Sequence, residues 1–448
     1  MRISKKIIVP IVAVCLVTTA TACGTKTASS TSNSNTTNTT SNTLENSSDG
    51  EHVIIVDGTT ENYSNTEVIK TGDSDGDEAD FYGENAAIFA TNKGTLNMSD
   101  MTINTNGAHA NGVFSYGEGT TVNISNSKIT TSGNCSGALM TTGGGTMNAT
   151  NVTAETSGNS SATIRSDRGG GTVTVNGGNY KTSGKGSPTI YSTADITVNN
   201  SQLESTASQG VVVEGKNSVT LNNTNLIANN NTKNSNKSEF YQAVMIYQSM
   251  SGDASEGTSS FTMNGGSLTN QNGDIFFVNN TASDISLNGA SITNNDANGV
   301  FLRAAAAGWG NSGSNGGNVN IKATNQTING NMIVDSISTL NLYLSDNSTF
   351  TGAINPDGQS GNVYVELKNG STWTLTADSY VSSLTCDVNS INLNGHTLYV
   401  NGVPYSENTA SIGNAIAINK DSSQGGNAPF QGSKDSSQKS SKSHSKKK

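Results

Sequence analysis

Proline, aromatic residues, cysteine and charge are all scarce in this chain, and each scarcity excludes something. Of 448 residues, 5 are Pro and 4 are Cys, 13% are charged and 5% are aromatic. With 32% hydrophobic residues, the chain has too little apolar material to fill one spherical core of its length. The net charge is −10, and no basic stripe interleaved with aromatics occurs, which excludes nucleic acid as a partner. No segment shows a 3.6-residue apolar period, so helical and leucine-rich solenoids are excluded too. Asn, Ser, Thr and Gly dominate instead, with 49 Gly.

A short apolar motif recurs along the chain: two apolar residues flanking one polar residue. It appears as Leu96/Met98, Val122/Ile124, Met147/Ala149, Val173/Val175, Ile196/Val198, Val219/Leu221, Phe261/Met263, Ile285/Leu287, Val319/Ile321, Leu340/Leu342, Val363/Val365 and Ile391/Leu393, the first spacings being 26, 25, 26, 23 and 23 residues. Period-2 alternation over so few residues denotes strands. A third apolar position follows about seven residues later in the early units (Ile103, Ile129, Ala154, Tyr180, Leu203, Leu226), and another short run precedes each unit. Three strands per unit, with Asn and Gly at the turns where a left-handed backbone is needed, describe one rung of a solenoid with a thin core. The expected fold is all-β, a parallel β-helix of about twelve rungs over 86–395. An N-terminal cap over 51–85 and a C-terminal cap over 396–420 should cover its open sheet edges. Cys135 and Cys386 then lie about ten rungs apart, and at about 4.8 Å per rung they are beyond disulfide reach.

The ends carry no core. Arg2, Lys5 and Lys6 precede the apolar run Ile7 to Val17, which is too short to span a bilayer and has the pattern of a signal peptide over 1–22. The sequence Ala20-Thr21-Ala22-Cys23 resembles the lipobox of bacterial lipoproteins, with Ala20 where Leu is usual. That resemblance implies a lipid on Cys23, a membrane as partner through it, and a cell-surface location. Residues 23–50 have the composition of a flexible linker and 421–448 that of a disordered basic tail.

The strand register predicts which side chains face outward. If Ile88, Val113, Leu139, Ile164, Ile190, Val211, Val244, Ile275 and Val300 point inward, then Phe89, Phe114, Met140, Arg165, Tyr191, Val212, Met245, Phe276 and Phe301 point out. So do the residues two further on, among them Tyr116, Asp167, Glu214, Tyr247 and Arg303. The outer face should then carry an aromatic ladder on which sugar rings stack. Insertions at 229–242, 249–259 and 304–317 border that face and should wall a groove. The expected carbohydrate-binding residues are Phe89, Phe114, Tyr116, Arg165, Asp167, Arg168, Tyr191, Tyr247, Phe276, Phe301, Arg303 and Trp309. A polysaccharide or host-surface molecule is the expected ligand of a monomeric protein.

Rung length and Asn/Gly corners over 86–400 resemble the pectate-lyase-like superfold, the right-handed parallel β-helices of polysaccharide lyases, polygalacturonases, phage tailspikes and adhesin-like surface proteins. For the lyases the resemblance implies an Arg or Lys base beside calcium-binding Asp residues, which only Ile164-Arg165-Ser166-Asp167-Arg168-Gly169 could imitate. No Asp cluster occupies neighbouring rungs, and no Gly-His-Gly is present. An adhesin-like or carbohydrate-binding protein is therefore the first expectation. A lyase of acidic glycans and a passive surface spacer are the alternatives. Separately, Asp73, Asp75, Asp77, Asp80 and Glu84 have a spacing similar to an EF-hand loop, without its central Gly, and mark a candidate calcium site.

Overall fold

In the computed structural model the described residues are 42–358 and 360–418. They form an all-β parallel β-helix. Eleven parallel strands stack as one sheet, from Ile54–Asp57 through Ile88–Thr91, Val113–Tyr116 and Leu139–Thr142 to Met332–Val334. A 21-stranded sheet supplies the other two walls of most coils, and a four-stranded sheet continues one wall toward the C-terminus. The inner faces make one continuous core in which each coil contributes only a few side chains. Leu96, Val122, Met147, Val173, Ile196, Val219, Phe261, Ile285 and Ile321 form one fully buried column, as the repeat predicts.

Two particulars of the repeat differ. Val319 pairs with Ser283 and Ile321 with Ile285, so the later pairs slide by two residues without changing face. Ile391 stacks on Trp373 in the four-stranded sheet and belongs to a different wall.

The corner between the second and third strands explains the Asn content. Asn65, Asp100, Asn126, Asn151, Asn200, Asn223 and Asn325 there all have φ between 46° and 56°, and Gly177, Gly265 and Gly289 take the same left-handed place in other coils. These residue types tolerate that conformation at least cost. On the outer wall the asparagines form rows. Asn97 donates to Asn62, Asn123 to Asn97 and Asn148 to Asn123 at 2.8–3.0 Å, and a second row runs Asn176, Asn199, Asn222, Asn264, Asn288.

A second corner is set by a Ser-Gly-Asn-type motif. Gly107, Gly133, Gly158 and Gly184 stack so closely that a Cβ on each of the last three would lie 1.8 Å from the preceding glycine's carbonyl oxygen. Ser136, Ser161 and Ser187 donate to the carbonyls of Gly107, Gly133 and Gly158 at 2.8–3.0 Å, which ties each coil to its predecessor.

The solenoid starts earlier than its sequence suggests. Asn42–Asn46 pairs with Thr66–Lys70, and Thr60–Ser64 with Thr95–Ser99, so residues 42–50 are not a linker and 51–70 are coil strands. Within the expected N-terminal cap, the only helix among the described residues, α1 (Asp77–Tyr82), lies against the outside of the sheet. At the other end an antiparallel turn, Leu398–Val400 with Val403–Pro404, and the bridge between Cys386 and Ser411 cover the last strands. Cys135 and Cys386 are free thiols. The signal segment, Cys23 and the tail from 421 lie outside the described residues.

Candidate functional site

One outward row runs along the eleven-stranded sheet: Ile55, Phe89, Phe114, Met140, Arg165, Tyr191, Val212, Met245, Phe277, Arg303, Ile333. It confirms the outward direction of the predicted row as far as Met245. The row is not an exposed ladder, because two covers bury most of it. Over the N-terminal coils, His52 stacks on Phe89 at 4.6 Å, Gly83 at the end of α1 sits against Phe114, and Tyr82 meets Tyr116 edge-on at 5.9 Å. Phe89, Phe114 and Met140 thereby form a second small core under α1. Over the C-terminal coils, Phe240 packs on Phe277 at 5.3 Å and Trp309 on Tyr247 at 5.2 Å, both from the predicted insertions. Apolar rows this long are costly to leave in water, and the insertions fold over them.

Phe276 and Phe301 are corrected outright. Phe276 pairs with Val244 and Leu302, and both phenylalanines lie in the main core, so the outward residue of that coil is Phe277. The run Ile275–Val278 is apolar at every position and buried throughout, which hides its parity. Arg303 faces outward, but its Nε is held at 2.6 Å by Asp274 and its guanidinium lies 4.4 Å over Phe240.

Between the covers the row turns polar, and a cleft of about 320 Å³ opens. Arg165, Asp167, Tyr191 and Tyr247 line it from the sheet, Asp80 and Phe81 from α1, Asn234 and Asp253 from the loops, and Cys135, Ser160 and Pro188 from the corner. Arg168 binds the covers together: its Nε meets Asp253 at 2.9 Å, its Nη1 meets Asp77 at 3.4 Å, and its plane stacks on Phe81 at 3.5 Å. Four predicted residues therefore share one cleft, while Arg168 and Trp309 fasten its walls.

The electrostatics of the cleft follow from burial. Arg165 Nη2 donates to Asp167 at 2.8 Å, with side chains 12% and 3% exposed. Burial lifts the Asp167 carboxyl to about 6, against the pull of Arg165. Burial also works against the Arg165 charge, but Asp167 outweighs it and holds the guanidinium more firmly protonated than usual, which excludes Arg165 as a base. Glu214, one column along, accepts from Tyr191 Oη and Ser249 Oγ. Burial raises its carboxyl, although both hydrogen bonds oppose the rise. The phenols of Tyr191 and Tyr247 are pushed far up by burial and then by Glu214, so both are neutral donors. Sequence reasoning placed Glu214 outward but passed over it as a site residue. Its column, shared with Tyr247, was the available signal.

A pH dependence follows. Asp167 is protonated more readily folded than unfolded, so the folded state binds the extra proton between the ordinary carboxylate range and about 6. Its contribution to stability is greatest at acid pH and is lost as pH rises through that window. Denaturation of the wild type and Asp167→Asn should diverge by on the order of 1 to 3 kcal/mol between pH 4 and 7, the wild type losing stability relative to the variant. Parallel profiles would show that the carboxyl is not desolvated.

The five acidic residues do not share one coordination sphere. One turn of α1 swings them apart. Asp77 meets Arg168, Asp80 meets His109 at 2.9 Å, Glu84 accepts from Ser74, and Asp73 accepts the backbone N–H of Ala108. Comparison with family models, with curated proteins and with solved structures gave no match.

Proposed function

We propose that this is an exported, lipid-anchored surface protein that binds a saccharide in the cleft between the two covers of its β-helix. Export and anchoring rest on the basic leader and Cys23. Binding rests on one observation: Arg165, Asp167, Tyr191 and Tyr247 converge in a polar cleft flanked by aromatic side chains. Phenol donors, a carboxylate and a fixed guanidinium match ring hydroxyls, which donate and accept in fixed directions. About 320 Å³ is at the small end of ligand sites, which suits a terminal sugar unit better than a long stacked chain. Asp80, Asp167, Asp253 and Glu214 outnumber Arg165 and Arg168 here, so a neutral or amino sugar fits better than the acidic glycans of the lyases.

A glycan array probed with the full-length protein tests this. Retention of neutral or amino sugars is expected, with Tyr191→Phe and Asp253→Asn each weakening it at least about tenfold while the ring packing is kept. Absence of any retained glycan would sink the reading and leave a structural spacer. The raised carboxyls of Asp167 and Glu214 favour one second reading, acid–base cleavage of the bound glycan. New reducing ends released from a retained glycan, and lost in Asp167→Asn, would establish it.

A further inference from the structure

We propose that Asp80, His109 and Cys135 form a binding site for a transition-metal ion of the zinc class at the mouth of the cleft. The three ligand atoms lie within 4.8 Å of one another, and Asp80 Oδ1 is 2.9 Å from His109 Nδ1. That is the spacing of neighbouring ligands around one small cation. The donors are an imidazole, a thiol and a carboxylate, a set that suits zinc and disfavours calcium, which takes oxygen alone.

A second observation points to a ligand. His109 is 8% exposed, and its Nδ1 is buried without a hydrogen bond of acceptable geometry, although the Asp80 carboxylate is so near. A buried nitrogen left in this way costs free energy unless something accepts its lone pair. An ion held between Nδ1 and Oδ1 uses that lone pair. The exposed Asp75 carboxylate lies 3.9 Å from Nε2 on the far side of the ring, beyond hydrogen-bond reach, and adds negative charge beside the imidazole.

The backbone supports the same conclusion. His109 and Cys135 occupy the same corner of successive coils, and both are left-handed, with φ of 57° and 55°. Each coil's N–H at this corner bonds the next coil's carbonyl: His109 to Asn134, Cys135 to Asn159 and Ser160 to Lys185. The stacking therefore places an imidazole directly beside a thiol. α1 brings the third ligand across from a separate segment. Since Asp80 and Cys135 also line the cleft, a fourth coordination position faces it, as in sites with three protein ligands and one exchangeable ligand. The metal site stands whether or not the cleft binds a saccharide.

The test uses the full-length protein, freed of metal by chelation. Titration with zinc should show one equivalent bound with proton release, and cobalt in its place should give a thiolate charge-transfer absorption. Cys135→Ser should abolish that absorption, and His109→Ala and Asp80→Asn should weaken zinc binding by at least about tenfold. Cys135→Ser is expected to fold, because Ser160 already occupies this corner in the left-handed conformation in the next coil. Zinc should also slow alkylation of Cys135 but not of Cys386. Absence of bound zinc, binding unchanged in Cys135→Ser, or uptake of calcium alone would each overturn the proposal.

Discussion

Gly158→Ala should destabilise the protein by about 3 kcal/mol or more. The added carbon would lie 1.8 Å from the Gly133 carbonyl oxygen, 2.4 Å from its carbon and 2.9 Å from the Asn134 nitrogen, all backbone atoms that cannot swing away. Relief requires the two coils to part, which also lengthens the bond from Ser161 to the Gly133 carbonyl. Because each coil touches only its neighbours, the damage should stay local and divide the cooperative unfolding of the solenoid into two steps. Calorimetry checks the number of transitions, and hydrogen exchange should place the weakened amides at residues 131–161. Gly252→Ala is the control: its φ is 86° but nothing lies within 4 Å, so it should cost only about 1 to 2 kcal/mol. Equal effects at the two positions would mean that the stack is looser than described.

Arg165→Met should cost about 3 to 5 kcal/mol at neutral pH, since it leaves Asp167 charged in a site 3% exposed. The loss should shrink at pH 4, where the raised carboxyl takes up a proton. Adding Asp167→Leu to Arg165→Met should recover most of the stability, because two apolar side chains need no counter-ion. Denaturation of the two single variants and the double variant, at both pH values, makes the cycle. If the double variant were no better than Arg165→Met, the pair would not be the source of the loss.

The wall of the solenoid was readable in the sequence because Leu96/Met98 and its successors repeat at nearly constant length, and alternation fixes which face is buried. Asn at the corners was readable for the same reason, since few residues accept φ near 50°. Legibility ended where alternation did. Ile275, Phe276, Phe277 and Val278 are all buried, and with an insertion just upstream no period distinguished the core residue from the outward one. The covers were not legible either. α1 has six residues, too few for a periodic signal, and its contacts with Phe114 and Tyr116 depend on tertiary placement. Outward direction is not exposure where a short segment folds back over the sheet. Of the candidate site, Arg165, Asp167, Tyr191 and Tyr247 could be found from the two outward columns of their sheet. His109 and Cys135 could not, because they sit at a turn between strands.

The asparagine rows give the molecule a polarity. Every side-chain amide in a row donates to the coil before it and accepts from the coil after it, without reversal from Asn62 to Asn148 or from Asn176 to Asn288. The amide dipoles therefore add along the axis, each polarising the next, much as peptide groups do in an α-helix. A spare N–H points toward the N-terminal end of the solenoid, and a spare oxygen points away from it. An asparagine replaced by leucine in mid-row would take away one bond and also divide one long dipole into two short ones, so the rows should resist interruption at the middle more than at the ends.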